Sequence, residues 1–307
     1  MKRREFLITS AGAGLLAGTS LSMGRFSRLL AAEPADSNLP YDLIAIKGGS
    51  PTAMFDKAIA AMGGMSKFVK KNQTVVVKPN IGWDNAPERA ANTNPELVGR
   101  IIEHCLQAGA KSVYVFDHPV NEWTRCYKNS GIEDAVKKAG GIMVTGNSEG
   151  HYHPVQIPKG KVLKSAKVHE LILESDVFIN VPTLKTHGGT RLSISMKNLM
   201  GVVWDRGYYH NNNLHQCIAD FTTFKRPHLN VVDAFRVLKR NGPRGVSVAD
   251  VVEMKYQIIG TDIVATDAAA TKVFGIQPDQ LGHIPMAVGL GSGTSDLESL
   301  RINRITM

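Results

Sequence analysis

Cysteine is scarce in this sequence: of 307 residues only Cys105, Cys126 and Cys217 carry a thiol, and no CxxC pair occurs. A four-cysteine iron–sulfur cluster or a zinc ribbon needs clustered ligands that this set does not supply, so no iron–sulfur cluster is expected from this chain. Other cofactors stay open. Cys105 shares a helical face with Val98, Ile101 and Ile102 and reads as a core thiol, while Cys126 and Cys217 could pair in an oxidising compartment without amounting to a framework. Aromatics are only 7% of the residues, and no basic run is interleaved with them. Nucleic acid is therefore not an expected partner, although the formal charge of +9 raises the question. Five of the bases, Lys2, Arg3, Arg4, Arg25 and Arg28, fall in the first 32 residues beside Glu5, which leaves 31 bases and 26 acids in the remainder.

Several motifs are missing as well. Without GxGxxG, GxxxxGK[ST] or GxSxG there is no basis for a dinucleotide fingerprint, a Walker loop or a nucleophile elbow. No stretch reaches the roughly 20 consecutive apolar residues that a membrane-spanning helix requires. With 43% apolar and 21% charged residues the composition is that of an ordinary globular protein.

The amino terminus has the three-part plan of a signal peptide: Lys2-Arg3-Arg4-Glu5-Phe6-Leu7, a mildly apolar stretch from Ile8 to Leu21, and Leu30-Ala31-Ala32 as a small-residue exit. Paired arginines followed by Phe-Leu resemble the twin-arginine consensus. The expectation is a twin-arginine signal peptide over 1–32, a linker over 33–40 and a single α/β domain over 41–307. The twin-arginine translocase is then one expected partner, and the periplasm or another extracytoplasmic space the expected location.

Beyond the linker, β-branched runs alternate with helical stretches, which predicts an α/β fold with a largely parallel open sheet and helices on both faces. Strands are expected over 43–46, 74–78, 112–116, 142–144, 177–181, 229–232 and 256–259. Helices are expected from Asn94 to Ala108 and in parts of 52–70, 131–139, 166–174, 192–203, 212–223, 262–274 and 280–289. The segment from Gly146 to Lys164 is expected to cross between halves of the domain.

In an open parallel sheet ligands settle at the carboxyl ends of the strands. The residues just after the expected strands are polar: Lys78-Pro79-Asn80, Asp117-His118-Pro119, Pro182 to Gly189, Asp233, and Gly260-Thr261-Asp262. From these, Lys78, Asp117, Lys185 and His187 are the candidate catalytic residues, as electrostatic groups, lowered-pKa bases or proton carriers. Asn80, His118, Asp233 and Asp262 are candidate ligand-binding residues. On the expected helix 192–203, Leu192, Met196, Leu199 and Val203 form an apolar face, which turns Lys197, Asn198 and Gly201 away from the core. Lys197 and Asn198 join the binding set, and Gly201 would permit a close approach. The Gly188-Gly189 pair could present backbone N–H groups to an anion, and Arg244 in Asn241-Gly242-Pro243-Arg244-Gly245 could clamp one. A metal is left open: Asp117, His118, His187 and Asp233, or His151 with His153, supply ligand types without diagnostic spacing.

Val75-Val76-Val77-Lys78-Pro79-Asn80, Asp117-His118-Pro119, the run from Asp176 to His187, Met196 to Gly201, and Ala265-Thr266-Asp267-Ala268 together resemble the uncharacterised family named domain of unknown function 362, over roughly residues 74–275. The resemblance implies no settled activity. Many members of that family carry an appended ferredoxin-like module and are described as iron–sulfur proteins, which implies redox surroundings, but this chain lacks the cysteines. Two readings follow: a protein that takes a small anionic or metal-bound ligand at the strand ends, or a non-catalytic periplasmic partner of a redox system whose same rim grips a protein.

Overall fold

The computed structural model describes residues 38–307. The expected leader over 1–32 and most of the expected linker lie outside them. Strand β1 spans Leu43–Lys47, β2 Thr74–Pro79, β3 Ser112–Val115, β4 Ile142–Met143, β5 Tyr152–Gln156, β6 Ser165–His169, β7 Val177–Val181, β8 Thr183–His187, β9 Arg191–Ser193, β10 Leu229–Leu238, β11 Val251–Gly260 and β12 Ile302–Thr306. The main sheet has the order β12-β1-β11-β10-β7-β2-β3-β4. The five strands from β10 to β4 run parallel to their neighbours, β11 is antiparallel to both β10 and β1, and β12 is parallel to β1. The expected mixed α/β fold with a mostly parallel sheet is thus observed.

Helices cover both faces because the central strands are apolar on both. On β2, Val75 and Val77 enter one core and Val76 the other; on β7, Phe178 shares the core of Val76 while Ile179 shares that of Val77. Helices Pro51–Ala61 and Pro95–Gln107 cover the Val77 side, and Leu214–Phe221 and Ile263–Phe274 the Val76 side. The helix after β2 starts where the sequence says it should. Asn94 Oδ1 accepts from Glu96 N at 2.9 Å, Pro95 occupies the first turn, and Gly109, at φ +97°, carries the chain out beside Lys71.

The segment 146–164 contains β5, which pairs with β6 as a separate two-stranded sheet, and the helix expected in part of 166–174 is Glu170–Glu174, directly after β6. Two expectations are corrected. The helix expected over 192–203 is β9, then helix Ser195–Asn198 and a 3-10 turn Leu199–Val202. Finally, Gly260-Thr261-Asp262 does not join the other strand-end segments. Gly260 is level with Asn230, Asn180 and Lys78, but β11 runs counter to β10, so the chain leaves it in the opposite direction and lines neither cavity.

Candidate functional site

The parallel block brings the ends of β2, β3 and β7 together. Lys78 pairs in register with Asn180, and Val77 with both Val115 and Ile179, so Asp117, two residues beyond β3, lands beside Lys78. The two-residue period of a strand puts Lys78 on the same face as Val76, and Asn180 on the same face as Phe178. That is the face on which helix Ser195–Asn198 sits, with Met196 and Leu199 in the core below.

The short helix has no side-chain cap of its own. Its start is held from 72 residues away by Asp267, whose two carboxylate oxygens accept from Ser195 N at 2.7 Å and Met196 N at 3.1 Å. Burial raises Asp267 to about 7, and the hydrogen bonds it accepts oppose that rise. So anchored, the helix drives Asn198 into the sheet end, where it is buried, and not away from the core as its apolar spacing predicts. Asn198 Oδ1 accepts from Lys78 Nζ at 2.8 Å and Asn80 Nδ2 at 3.1 Å; its Nδ2 donates to Asn180 Oδ1 at 2.9 Å and to the Lys78 carbonyl at 3.3 Å. All four hydrogen-bonding valences of the amide are filled, which fixes its orientation.

Lys78 is fully buried, and its ammonium meets three acceptors: Asn198 Oδ1, the Asn198 carbonyl at 2.7 Å and Asp117 Oδ1 at 2.9 Å. Burial pulls its pKa down and Asp117 pulls it back. Asp117 also accepts from Ile81 N at 2.7 Å and His118 N at 2.9 Å. The pair is packed so tightly that a Cβ on Gly201 would stand 2.6 Å from Lys78 Nζ and closer still to Asp117 Oδ1. Here the close approach expected of Gly201 is made to the ion pair. Lys185, also buried, donates to Asn80 Oδ1 at 2.9 Å and to the Ala91 carbonyl, and burial together with the charge of Lys197 lowers it to about 7.

Two adjoining cavities open on this network. The larger, about 290 Å³, is lined by Lys78, Asp117, His118, Lys197, Arg206 and His210 among others. The smaller, about 70 Å³, is lined by Trp83, Thr183, Lys185, His187, Ser193 and Pro243 among others. Asn80, Lys197 and Asn198 line both and form the shared wall. Lys197 is half-buried and, unlike Lys78 and Lys185, its Nζ has no hydrogen-bond or ion-pair partner among the described residues. Burial, Arg206 and Lys78 lower it to about 8. Arg206 spends two N–H groups on the carbonyls of His118 and Pro119, each at 2.7 Å. His118 stacks flat on Trp204 with centroids 4.9 Å apart, and its Nδ1 lies 3.1 Å from the Val203 carbonyl; burial first, then Arg206, pushes its pKa down.

The structure therefore brings Lys78, Asn80, Asp117, His118, Lys185, His187, Lys197 and Asn198 to one rim. It leaves three candidates outside the cavities. Asp233 is buried, raised to about 6 by that burial, and accepts from Asn94 N at 2.8 Å and Phe235 N at 3.1 Å. Asp262, beyond the end of antiparallel β11, caps helix Ile263–Phe274 through Val264 N and also accepts from Thr294 N. Arg244 is exposed and lines neither cavity, and its carbonyl accepts from Asn85 Nδ2 at 2.9 Å. The Gly188-Gly189 pair turns the hairpin of β8 and β9, and the backbone N–H groups of Gly189 and Thr190 point at His187 Nδ1 at 3.0 and 3.2 Å rather than at a ligand. Accepting there, and buried next to Lys197, His187 is held down to about 3 and stays neutral.

Arg206, Thr183, Asn180 and Asp267 were not singled out from the sequence. Asn180, Thr183 and Asp267 lie inside the quoted motifs, which was the one signal available for them. Among the described residues no group of three or more His, Cys, Asp or Glu side chains is placed to hold a metal ion. His151 and His153 both turn to Glu170, at 2.9 and 3.6 Å, and Cys105, Cys126 and Cys217 are buried free thiols.

A thylakoid-associated protein, sll1697, of Synechocystis sp. is 25% identical over 259 residues, covering 80% of this chain and 79% of that protein. Among solved structures, the lactate racemase apoprotein from Thermoanaerobacterium thermosaccharolyticum aligns with 14% identity and a TM-score of 0.46 over 75% of this chain. A protein from Thermotoga maritima aligns with 8% identity and the same TM-score over 78%. This chain spans 56% and 60% of those two chains. The family whose model matches residues 75–272 takes in every element that builds the rim, and the chain belongs to it: the domain of unknown function DUF362.

Proposed function

We propose that this protein binds a small anionic ligand, a carboxylate or a phosphate, at the carboxyl rim of its sheet. One observation carries the reading. Lys78, Lys197 and Arg206 all line the larger cavity, while its one carboxylate, Asp117, is already paired with Lys78. Two cations are left facing the same space without a counter-charge, in surroundings of low dielectric where an unpaired charge is expensive. An anion lodged against Lys197, in the wall that the two cavities share, supplies what is missing. Thr183 adds to the case: its buried hydroxyl has no hydrogen-bond partner among the described residues and lines the smaller cavity, and such groups are rare unless a ligand or water completes them.

The test is thermal unfolding of the mature protein with succinate or inorganic phosphate titrated in. A ligand at 100 times its Kd adds about 2.7 kcal/mol of stability, so the midpoint should rise with concentration for at least one of the two. Lys197→Met should abolish the rise while leaving the unliganded protein folded, since the Lys197 ammonium makes no contact that the fold needs. An unchanged response in Lys197→Met ends the reading. We further propose that the protein is delivered outside the cytoplasm by the twin-arginine route, on the strength of Arg3-Arg4-Glu5-Phe6-Leu7 and the stretch that follows.

A further inference from the structure

The three lysines of the rim have different chemical standing. An ammonium has three N–H donors and no lone pair. Lys78 spends all three on Asn198 and Asp117, and Lys185 spends two on Asn80 and Ala91, so each nitrogen is tied in place by its acceptors. Lys197 spends none among the described residues. It stands in the wall between the two cavities, open to both. A lysine kept out of every hydrogen bond, half-buried and crowded by Lys78 and Arg206, has the setting in which an amine loses its proton and acts as a nucleophile. Its lowered value, about 8, agrees with that geometry.

Resting on the anion-binding reading, we infer that Lys197 Nζ condenses with the ketone of an α-oxo carboxylate, whose carboxylate lies in the smaller cavity against the Thr183 hydroxyl. The smaller cavity, about 70 Å³, has room for a carboxylate and little more, and its unpartnered hydroxyl offers a donor to one oxygen. An α-oxo carbon is one bond from the carboxylate, which sets it at the wall where Nζ stands. The rest of the molecule occupies the larger cavity beside Arg206 and Lys78. In the step itself, the Nζ lone pair attacks the carbonyl carbon and a C–N bond forms. The C–O bond breaks, the oxygen leaves as water with the two amine hydrogens, and an imine remains. No oxidant or reductant is needed, and water reverses the reaction.

The experiment is sodium borohydride trapping of the mature protein with pyruvate, in parallel with thermal unfolding in succinate, which carries carboxylates and no ketone. Borohydride delivers hydride to an imine carbon and makes the link permanent. The expected result is one reduced pyruvyl adduct per chain, mapped by peptide mass spectrometry to Lys197, and none with acetone, which lacks the carboxylate. Lys197→Arg has no condensable amine and should lose the adduct. No adduct, an adduct mapped to Lys185 or to surface lysines, or trapping undiminished in Lys197→Arg overturns the inference. Peptide mapping of the wild-type protein decides the matter even where the variant fails to fold. A succinate response without pyruvate trapping removes the imine and leaves anion binding standing, whereas neither response removes both.

Discussion

Thr183 shows how a single side chain can separate stability from binding. Its hydroxyl is buried in the lining of the smaller cavity and has no hydrogen-bond partner among the described residues, which leaves most of the desolvation penalty uncompensated. Replacing it with valine, of nearly the same shape, removes that penalty. Thr183→Val is therefore expected to raise the unliganded stability by on the order of 1 kcal/mol, read from urea midpoints. The same change should shrink the anion-induced thermal shift, and a variant that loses stability without losing the shift would show the hydroxyl to be structural. None of this was readable in the sequence, since threonine after a strand says nothing about whether its oxygen will find a partner. Lys78, Asn80, Asp117 and Lys185 were readable, because the period of two and the parallel ladder carry strand-end residues to a common place. Arg206 was not: it stands in an irregular stretch after the 3-10 turn, and only the tertiary path brings its guanidinium to the carbonyls of His118 and Pro119.

Among elements, the four-residue helix Ser195–Asn198 is the one on which the rim depends. Four residues cannot sustain a helix in isolation, because nucleation is unfavourable and too few hydrogen bonds follow it. This one persists because Asp267 supplies both acceptors that its first turn lacks and because Met196 and Leu199 are buried. Gly201, in the turn that follows, leaves the Lys78–Asp117 pair just enough room. Gly201→Ala is expected to destabilise the protein by about 1–3 kcal/mol, the usual cost of overpacking, and to weaken anion binding as Lys78 and Asp117 are pushed apart. Urea midpoints and the succinate titration would check both, and an alanine accommodated without change in either would show that the packing yields. The sequence pattern read this region as one long helix. Its apolar spacing, Leu192, Met196, Leu199 and Val203, does fit a period of 3.6, and all four are buried. The chain instead divides it between a strand, a short helix and a turn, because the hairpin formed with β8 claims Arg191–Ser193.

For the molecule as a whole, the alternation of strand and helix foretold an α/β sheet but not the direction of each strand. Periodicity has no sign, so β11 looked like one more parallel strand, and Asp262, which follows it, was grouped with strand ends that the chain leaves in the other direction. Delivery is the other property at this scale. If the twin-arginine route operates, changing Arg3 and Arg4 together to lysine keeps the charge and removes the guanidinium pair, and the protein should then be retained in the cytoplasm when cell fractions are probed with antibody. Export that continues undiminished would assign the amino terminus to another route. The unequal pair of chambers on either side of Lys197 has a last consequence. A visitor slim at one end and broad at the other has a single way to lie across that partition, so the rim would tell the two ends of one molecule apart.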